Sequence, residues 1–272
     1  MDESQTLTWR PRELPGVEVV AERGAAYTRR HVRLDTGYAI KITLGGAPPP
    51  MRYRGRVHDS AAPGMVTVVE PDEVVYSLGR DATTHRLFSH ILVVDAGLMP
   101  AGAGRADRPR FRELRYHDRA LFDGIAVLHS SLAHGDDRLT LQSTLTGLLD
   151  NLVSRHATAP GAVSPVLRPR ALRQVRELLH DRLDDNIGLD ELASVAGCGK
   201  HHLIRSFQHA YGVPPHRYRN LLRLARARSL LAVGRSVAEV AAELGFFDQS
   251  HLNRHFRQSY GMSAGAYAKA VR

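Results

Sequence analysis

One pattern, H-L-x-R-x-F-x-x-x-Y-G, stands twice in the last third of this chain. It lies in GCGKHHLIRSFQHAYG at 197–212 and in GFFDQSHLNRHFRQSYG at 245–261. The match extends upstream. Glu191 with Glu239, Ala193 with Ala241 and Gly197 with Gly245 are 48 positions apart. After one extra residue, Leu203/Leu252, Arg205/Arg254, Phe207/Phe256 and Tyr211/Tyr260 are 49 apart. Apolar residues spaced by three and four mark helices, and a glycine just past the last of them marks a helix end. Each copy therefore predicts a short helix, a tight turn at the first glycine, and a second helix ending at Tyr-Gly. That is a helix-turn-helix unit, built twice.

The second helix of each unit has two faces. Leu203, Phe207 and Ala210 form an apolar stripe, matched by Leu252, Phe256 and Ser259. The opposite face carries Lys200, His201, Ile204, Arg205 and Gln208 in the first copy. In the second it carries Gln249, Ser250, Asn253, Arg254 and Arg257. Arginine can make two hydrogen bonds to guanine and Asn or Gln two to adenine, while an aliphatic group can pack on a thymine methyl. Ile204 is read in that last role. Between the copies, PPHRYRNLLRLARARSLLAVG predicts a long helix with an apolar face at Leu221, Leu222, Leu224, Ala225 and Leu231. Arg217, Arg219, Arg223, Arg226 and Arg228 are expected to cover the rest. Such a helix spans about 27 Å, close to the ~34 Å between successive major grooves on one side of B-DNA.

Charge agrees with this division. The net charge is +9; residues 170–272 hold 16 Lys and Arg against 9 Asp and Glu, and residues 1–169 hold 21 against 19. An uneven basic excess suits a polyanion-binding module joined to something else.

The first hundred residues read as short strands. YAIKITL (38–44) alternates apolar and polar residues, and MVTVVE, EVVYSL and HILVVD are β-branched runs between turn signals. MRYRGRV (51–57) is read as one strand with Arg52, Arg54 and Arg56 on one face. AGLMPAGAGRADRPRF then reads as a loop. Beyond it, Leu121, Ile125, Leu128 and Leu132, then Leu141, Leu145, Leu148 and Leu152, form two narrow helical seams around a Gly135-Asp136-Asp137 turn. Such a pair can cover the open side of a barrel or pair with its copy in a second subunit. ATAPGAVSPVLRPR (157–170) reads as a linker.

Residues 171–272 resemble the DNA-binding domain of the AraC/XylS family of bacterial transcription regulators. The family pattern around the second unit is followed at Ala241, Gly245, Phe246, Arg254, Phe256, Gly261 and Tyr267. Leu252 replaces a phenylalanine and Ala264 replaces a proline. The resemblance implies base-facing residues at His201, Ile204 and Arg205, and at Gln249, Ser250, His251, Asn253 and Arg254; His251 comes from it alone. It also implies a cupin-like sensor barrel, less closely matched, with Tyr76 facing its cavity and Trp9 in an arm over the ligand. Arg52 and Arg54 are further candidates for an acidic effector.

The expected fold class is therefore α+β: a cupin-like barrel over 1–116, a helical dimerisation segment over 117–157, a linker over 158–170, and an all-α double helix-turn-helix domain over 171–272. The expected function is a sequence-specific DNA-binding transcription regulator, not an enzyme, with an effector in the barrel. Its partners would be double-stranded DNA, a small-molecule effector and a second copy of itself, and the reading admits RNA polymerase. Two alternatives stay open: a regulator whose barrel binds a partner protein or only dimerises, and a cupin enzyme with an accessory helical domain. Against the last, no His-x-His, Gly-x-Ser-x-Gly, phosphate loop or His-Glu-x-x-His occurs. His58, His85 and His90 have no carboxylate at ligand spacing, so neither metal nor cofactor is expected. GAGR (102–105) does not lie between a strand and a helix. Cys198, the single cysteine, is read as a small hydrophobe in a turn. With no run of about eighteen apolar residues and a polar start, a cytoplasmic setting is expected.

Overall fold

The computed structural model describes residues 5–25, 31–79, 86–100, 108–158, 169–185 and 187–271. Most of the linker expected at 158–170 lies outside them, as do His85 and the GAGR stretch.

Among the described residues, ten strands form two antiparallel sheets. They are β1 (Gln5–Trp9), β2 (Val17–Ala25), β3 (His31–Leu34), β4 (Tyr38–Gly45), β5 (Met51–Tyr53), β6 (Arg56–His58), β7 (Val66–Val69), β8 (Val74–Ser77), β9 (Leu87–Val94) and β10 (Arg115–Tyr116). The larger sheet runs β1-β2-β9-β4-β7-β10 and the smaller β3-β8-β5-β6. Alternation along β4 decides what each face meets. Tyr38, Ile40 and Ile42 point out of the barrel into a buried cluster with helices α1 (Arg119–His134) and α2 (Arg138–His156). Ala39 points inward, onto Tyr53, Val69, Val75 and Leu114. The two leucine seams are therefore spent on covering the chain's own larger sheet. Leu121, Ile125, Leu128, Leu141, Leu145, Leu148 and Leu152 are all buried there.

Local chemistry fixes the pair. Asp118 caps α1 by accepting from the Leu121 N–H at 3.1 Å, and His156 at the end of α2 meets the same carboxylate at 2.7 Å. Gly135 ends α1 with φ at 76°, a conformation that costs glycine little. Under α1, His129 stacks on His90 of β9 with ring centres 3.9 Å apart. Burial, and then the neighbouring His90, push the His129 imidazole down to about 3.

The segment 51–57 departs from expectation. It is a hairpin, not one strand: β5 and β6 pair Tyr53 with Arg56 across a turn in which Arg54 (φ 49°) and Gly55 (φ 76°) both take left-handed backbone. A two-residue turn with both central residues at positive φ matches the twist of the flanking strands.

The helical domain comprises α3 (Arg170–Asp181), α4 (Leu189–Ala196), α5 (Lys200–Tyr211), α6 (Pro215–Ala232), α7 (Val237–Glu243), α8 (Gln249–Tyr260) and α9 (Ala264–Ala270). The two units are α4–α5 and α7–α8. Their glycines recur in matching conformations: Gly197 and Gly245 at φ 61° and 66°, Gly212 and Gly261 at 82° and 77°. Phe207 and Phe256 are both fully buried. Helix α6 connects the units, and Arg223 on it binds both sides, donating to the Leu183 carbonyl at 3.0 Å and to the Gly245 carbonyl at 3.4 Å. Arg223 and Arg228 are thus buried, a correction to the expectation that all five arginines of α6 lie on its surface. Both fall within its apolar rows, beside Leu224, Ala227 and Leu231.

Candidate nucleic-acid interface

Helix α5 presents its outer face without obstruction. Lys200, His201, Arg205 and Gln208 are exposed and Ile204 is half-buried. Lys200 pairs with Asp190 at 2.6 Å, a surface contact of small energetic weight. The helix starts at Gly199 with no side-chain cap, which leaves its first N–H groups available.

Helix α8 is placed differently. Gln249, Ser250, Arg254 and Arg257 are exposed, yet Ser250, Asn253, Arg254 and Arg257 form one wall of a cleft of about 1540 Å³. The opposite wall is the barrel mouth, with Thr6, Thr8, Val20, Glu22, Ile91 and Val93, and α6 closes one end with His216, Arg217 and Asn220. Strand β3 approaches α8 to within 8 Å between Cα atoms. Helix α5 is open to solvent and α8 looks at the barrel.

Two residues expected to face bases are engaged within the protein. Asn253 accepts from the Ala264 N–H at 3.0 Å, so its carbonyl caps the first residue of α9. His251 accepts at Nδ1 from the Phe247 N–H (3.2 Å) and meets His255 through Nε2 at 2.9 Å. Phe247, not singled out from the sequence, projects from the same turn at 93% exposure while Phe246 fills the core. The doubled phenylalanine of GFF was the available signal, since only one ring can pack inward.

None of the four effector candidates lines the cleft. Trp9 lies on the covered face of the larger sheet, edge-on to His129 with ring centres 6.1 Å apart. Arg54 is half-buried in the hairpin turn, paired with Glu70 at 2.6 Å and donating to the Phe111 carbonyl at 3.1 Å. Arg52 is exposed, opposite Tyr76 on the neighbouring strand. Tyr76 packs against the core of the first helix-turn-helix unit rather than into a barrel cavity. The inward carboxylates that sequence reasoning missed are Glu18 and Glu22, which alternate with Val17, Val19 and Ala21 along β2. Glu22 accepts from Lys41 at 2.8 Å and from Ser89.

Among the described residues, no group of three or more His, Cys, Asp or Glu could hold a metal ion. No described helix is long and apolar enough to cross a membrane.

Two helix-turn-helix units strung on one long helix, beside a two-sheet β domain with a helical cover, define a two-part helix-turn-helix architecture. A family model described as a helix-turn-helix domain matches residues 192–270, the stretch that holds both repeat units. The chain is similar to the uncharacterized HTH-type transcriptional regulator YbfI of Bacillus subtilis, with 29% identity over 55% of this chain and 54% of YbfI. It is also similar to the transcriptional activator NphR of a Rhodococcus species, with 29% identity over 78% of this chain and 61% of NphR. The chain thus spans little more than half the length of each. An apo form of ToxT from Vibrio cholerae shares the overall fold, with a TM-score of 0.57 and 12% identity over 94% of this chain and 98% of that one.

Proposed function

We propose that this protein is a sequence-specific DNA-binding transcription regulator that reads two half-sites, one through α5 and one through α8. The observation that carries the reading is the exposed face of α5, where Lys200, His201, Arg205 and Gln208 stand together on a rigid helix. The same scaffold recurs in the second unit with Arg254 in place of Arg205. The direct test is selection of bound duplexes from a random pool. Two short motifs about 10–10.5 base pairs apart are expected, and Arg205→Ala should abolish preference within one of them. A pool enriched for no motif contradicts the reading.

We also propose that the cleft is the effector site. A crystal structure of ToxT, 12% identical with a TM-score of 0.54, is described as bound to an unsaturated fatty acid. In this chain an apolar strip of Val20, Ile91 and Val93 faces Arg217, Arg254 and Arg257, which suits an organic anion with an apolar body. Calorimetric titration of the full chain with oleate should give heat that Val20→Asp removes. The alternative in which the barrel binds a partner protein or only dimerises has less support, because the leucine seams of α1 and α2 are consumed within the chain.

A further inference from the structure

The second unit is held against the barrel by a buried ion cluster, and the first chiefly by apolar packing, with the longer Arg176–Asp72 pair (3.8 Å) beside it. Arg228, on α6, is 9% exposed. Its guanidinium pairs with Glu18 of β2 through Nη2 and with Asp35, just after β3, through Nη1. Tyr260 of α8 and Tyr267 of α9 close around it. Tyr260 lies 4.7 Å from the guanidinium carbon to the ring centre and donates to the Leu34 carbonyl at 3.2 Å. Tyr267 donates to Glu18 at 2.5 Å. Burial alone would push both carboxyls up. The guanidinium of Arg228, with Arg10 beside Glu18 and Arg33 beside Asp35, outweighs it and holds both below their ordinary values. At the first unit, by contrast, Val32, Leu34 and Val74 enter the core of α3 and α6, and Tyr218 adds a hydrogen bond to the Asp72 carbonyl at 3.1 Å.

A buried ion pair differs from an apolar contact in how it responds to opening. Its attraction is offset by the hydration that each charge regains, so the net holding energy is small even though the geometry is specific. The Arg228 site also adjoins the cleft, since Glu18, Arg228, Tyr260 and Tyr267 all line it. Water or a ligand anion can therefore reach it.

We propose that Arg228 is a latch: its pairs with Glu18 and Asp35 hold α8 over the barrel mouth, so that the latched chain offers DNA only α5, and release of Arg228 admits the second half-site. This rests on the reading of both units as DNA-binding. A duplex must lie along the outer face of α8 for Arg254 and Arg257 to enter a major groove ~12 Å wide, and β1, β2 and β3 stand across the cleft from that face. A ligand in the cleft acts on the equilibrium only through its unequal affinity for the two arrangements.

The test uses the full chain, a duplex bearing both selected motifs, and a duplex bearing only the motif read by α5. Arg228→Leu removes the latch and still leaves Glu18 with Arg10 (3.2 Å) and Asp35 with Arg33 (3.0 Å), so no buried carboxylate is orphaned. Its affinity for the two-motif duplex should rise about tenfold, with affinity for the one-motif duplex unchanged. Without DNA, hydrogen exchange should quicken in 31–34 and 249–260. Tyr267→Phe deletes a single hydroxyl, and should shift both readouts in the same direction by less; it decides the matter if Arg228→Leu does not fold. Unchanged affinity and exchange in both variants overturn the latch. If no variant binds either duplex, the DNA reading falls, and exchange alone then decides whether the latch exists.

Discussion

The two helix-turn-helix units are one scaffold with different neighbours, and one pair of positions shows it. Ile204 and Asn253 are equivalent, 49 residues apart, and so are Pro215 and Ala264, each the first residue of the following helix. Proline there has no N–H to satisfy. Alanine has one, and Asn253 accepts from it. Where the next helix starts with Pro215, the corresponding side chain is the apolar, half-buried Ile204. In the second unit the position therefore serves the joint to the next helix. Asn253, expected to contact a base, is engaged at that joint, while Ile204 is half-buried on α5. Arg205 and Arg254, one residue on, are exposed in both units and are the pair we propose as the shared reading element.

The equivalence can be broken most forcefully in the core. Phe207→Ala and Phe256→Ala each remove a fully buried ring, and each should cost about 3–5 kcal/mol in urea unfolding. A cost in one unit alone would mean that the units are not the same scaffold. Arg205→Ala and Arg254→Ala should each lose about 1–3 kcal/mol of specific binding, at different half-sites, as read by titration against duplexes altered in one motif at a time. The two turn glycines should separate by a smaller margin. At Gly197 a methyl group would meet open space, so Gly197→Ala costs only left-handed backbone strain, about 1–2 kcal/mol. At Gly245 it would sit 3.2 Å from the Arg223 guanidinium, so Gly245→Ala should lower the melting temperature further than Gly197→Ala. The smallest effect belongs to the helix joint. Asn253→Ala should cost about 1 kcal/mol of stability without changing base preference, and Ala264→Pro should recover most of it by deleting the unpaired N–H. A change in the selected motif with Asn253→Ala would return that residue to the reading face.

Much of this was legible because a helix writes its faces into sequence with a period of 3.6. The paired glycines, the phenylalanine stripe and the ends of α5 and α8 all follow from it. The strands β4, β7, β8 and β9 were visible through β-branched alternation. The hairpin at 51–58 was not, because its turn uses Arg54 in a backbone conformation usually given to Gly or Asn. Buried Arg228 was misread for a related reason. An arginine on α6 is expected at the surface unless a carboxylate meets it, and Glu18 and Asp35 lie 210 and 193 positions away. No local period encodes that distance. The cleft, which depends on how the barrel sits against α8, was hidden in the same way. So was the misplacement of Trp9, Arg52, Arg54 and Tyr76, whose assignments depended on the barrel interior rather than on its contacts with the helices.

The central claim is that both units read DNA and that only the second waits on the barrel. Hydroxyl-radical footprinting of the Arg228→Leu chain on its selected two-motif duplex tests it most directly. Two protected patches about one helical turn, ~34 Å, apart on one face of the duplex are expected, with the patch assigned to α8 weaker in the wild-type chain. A single patch in the Arg228→Leu chain, at the α5 motif alone, would contradict it.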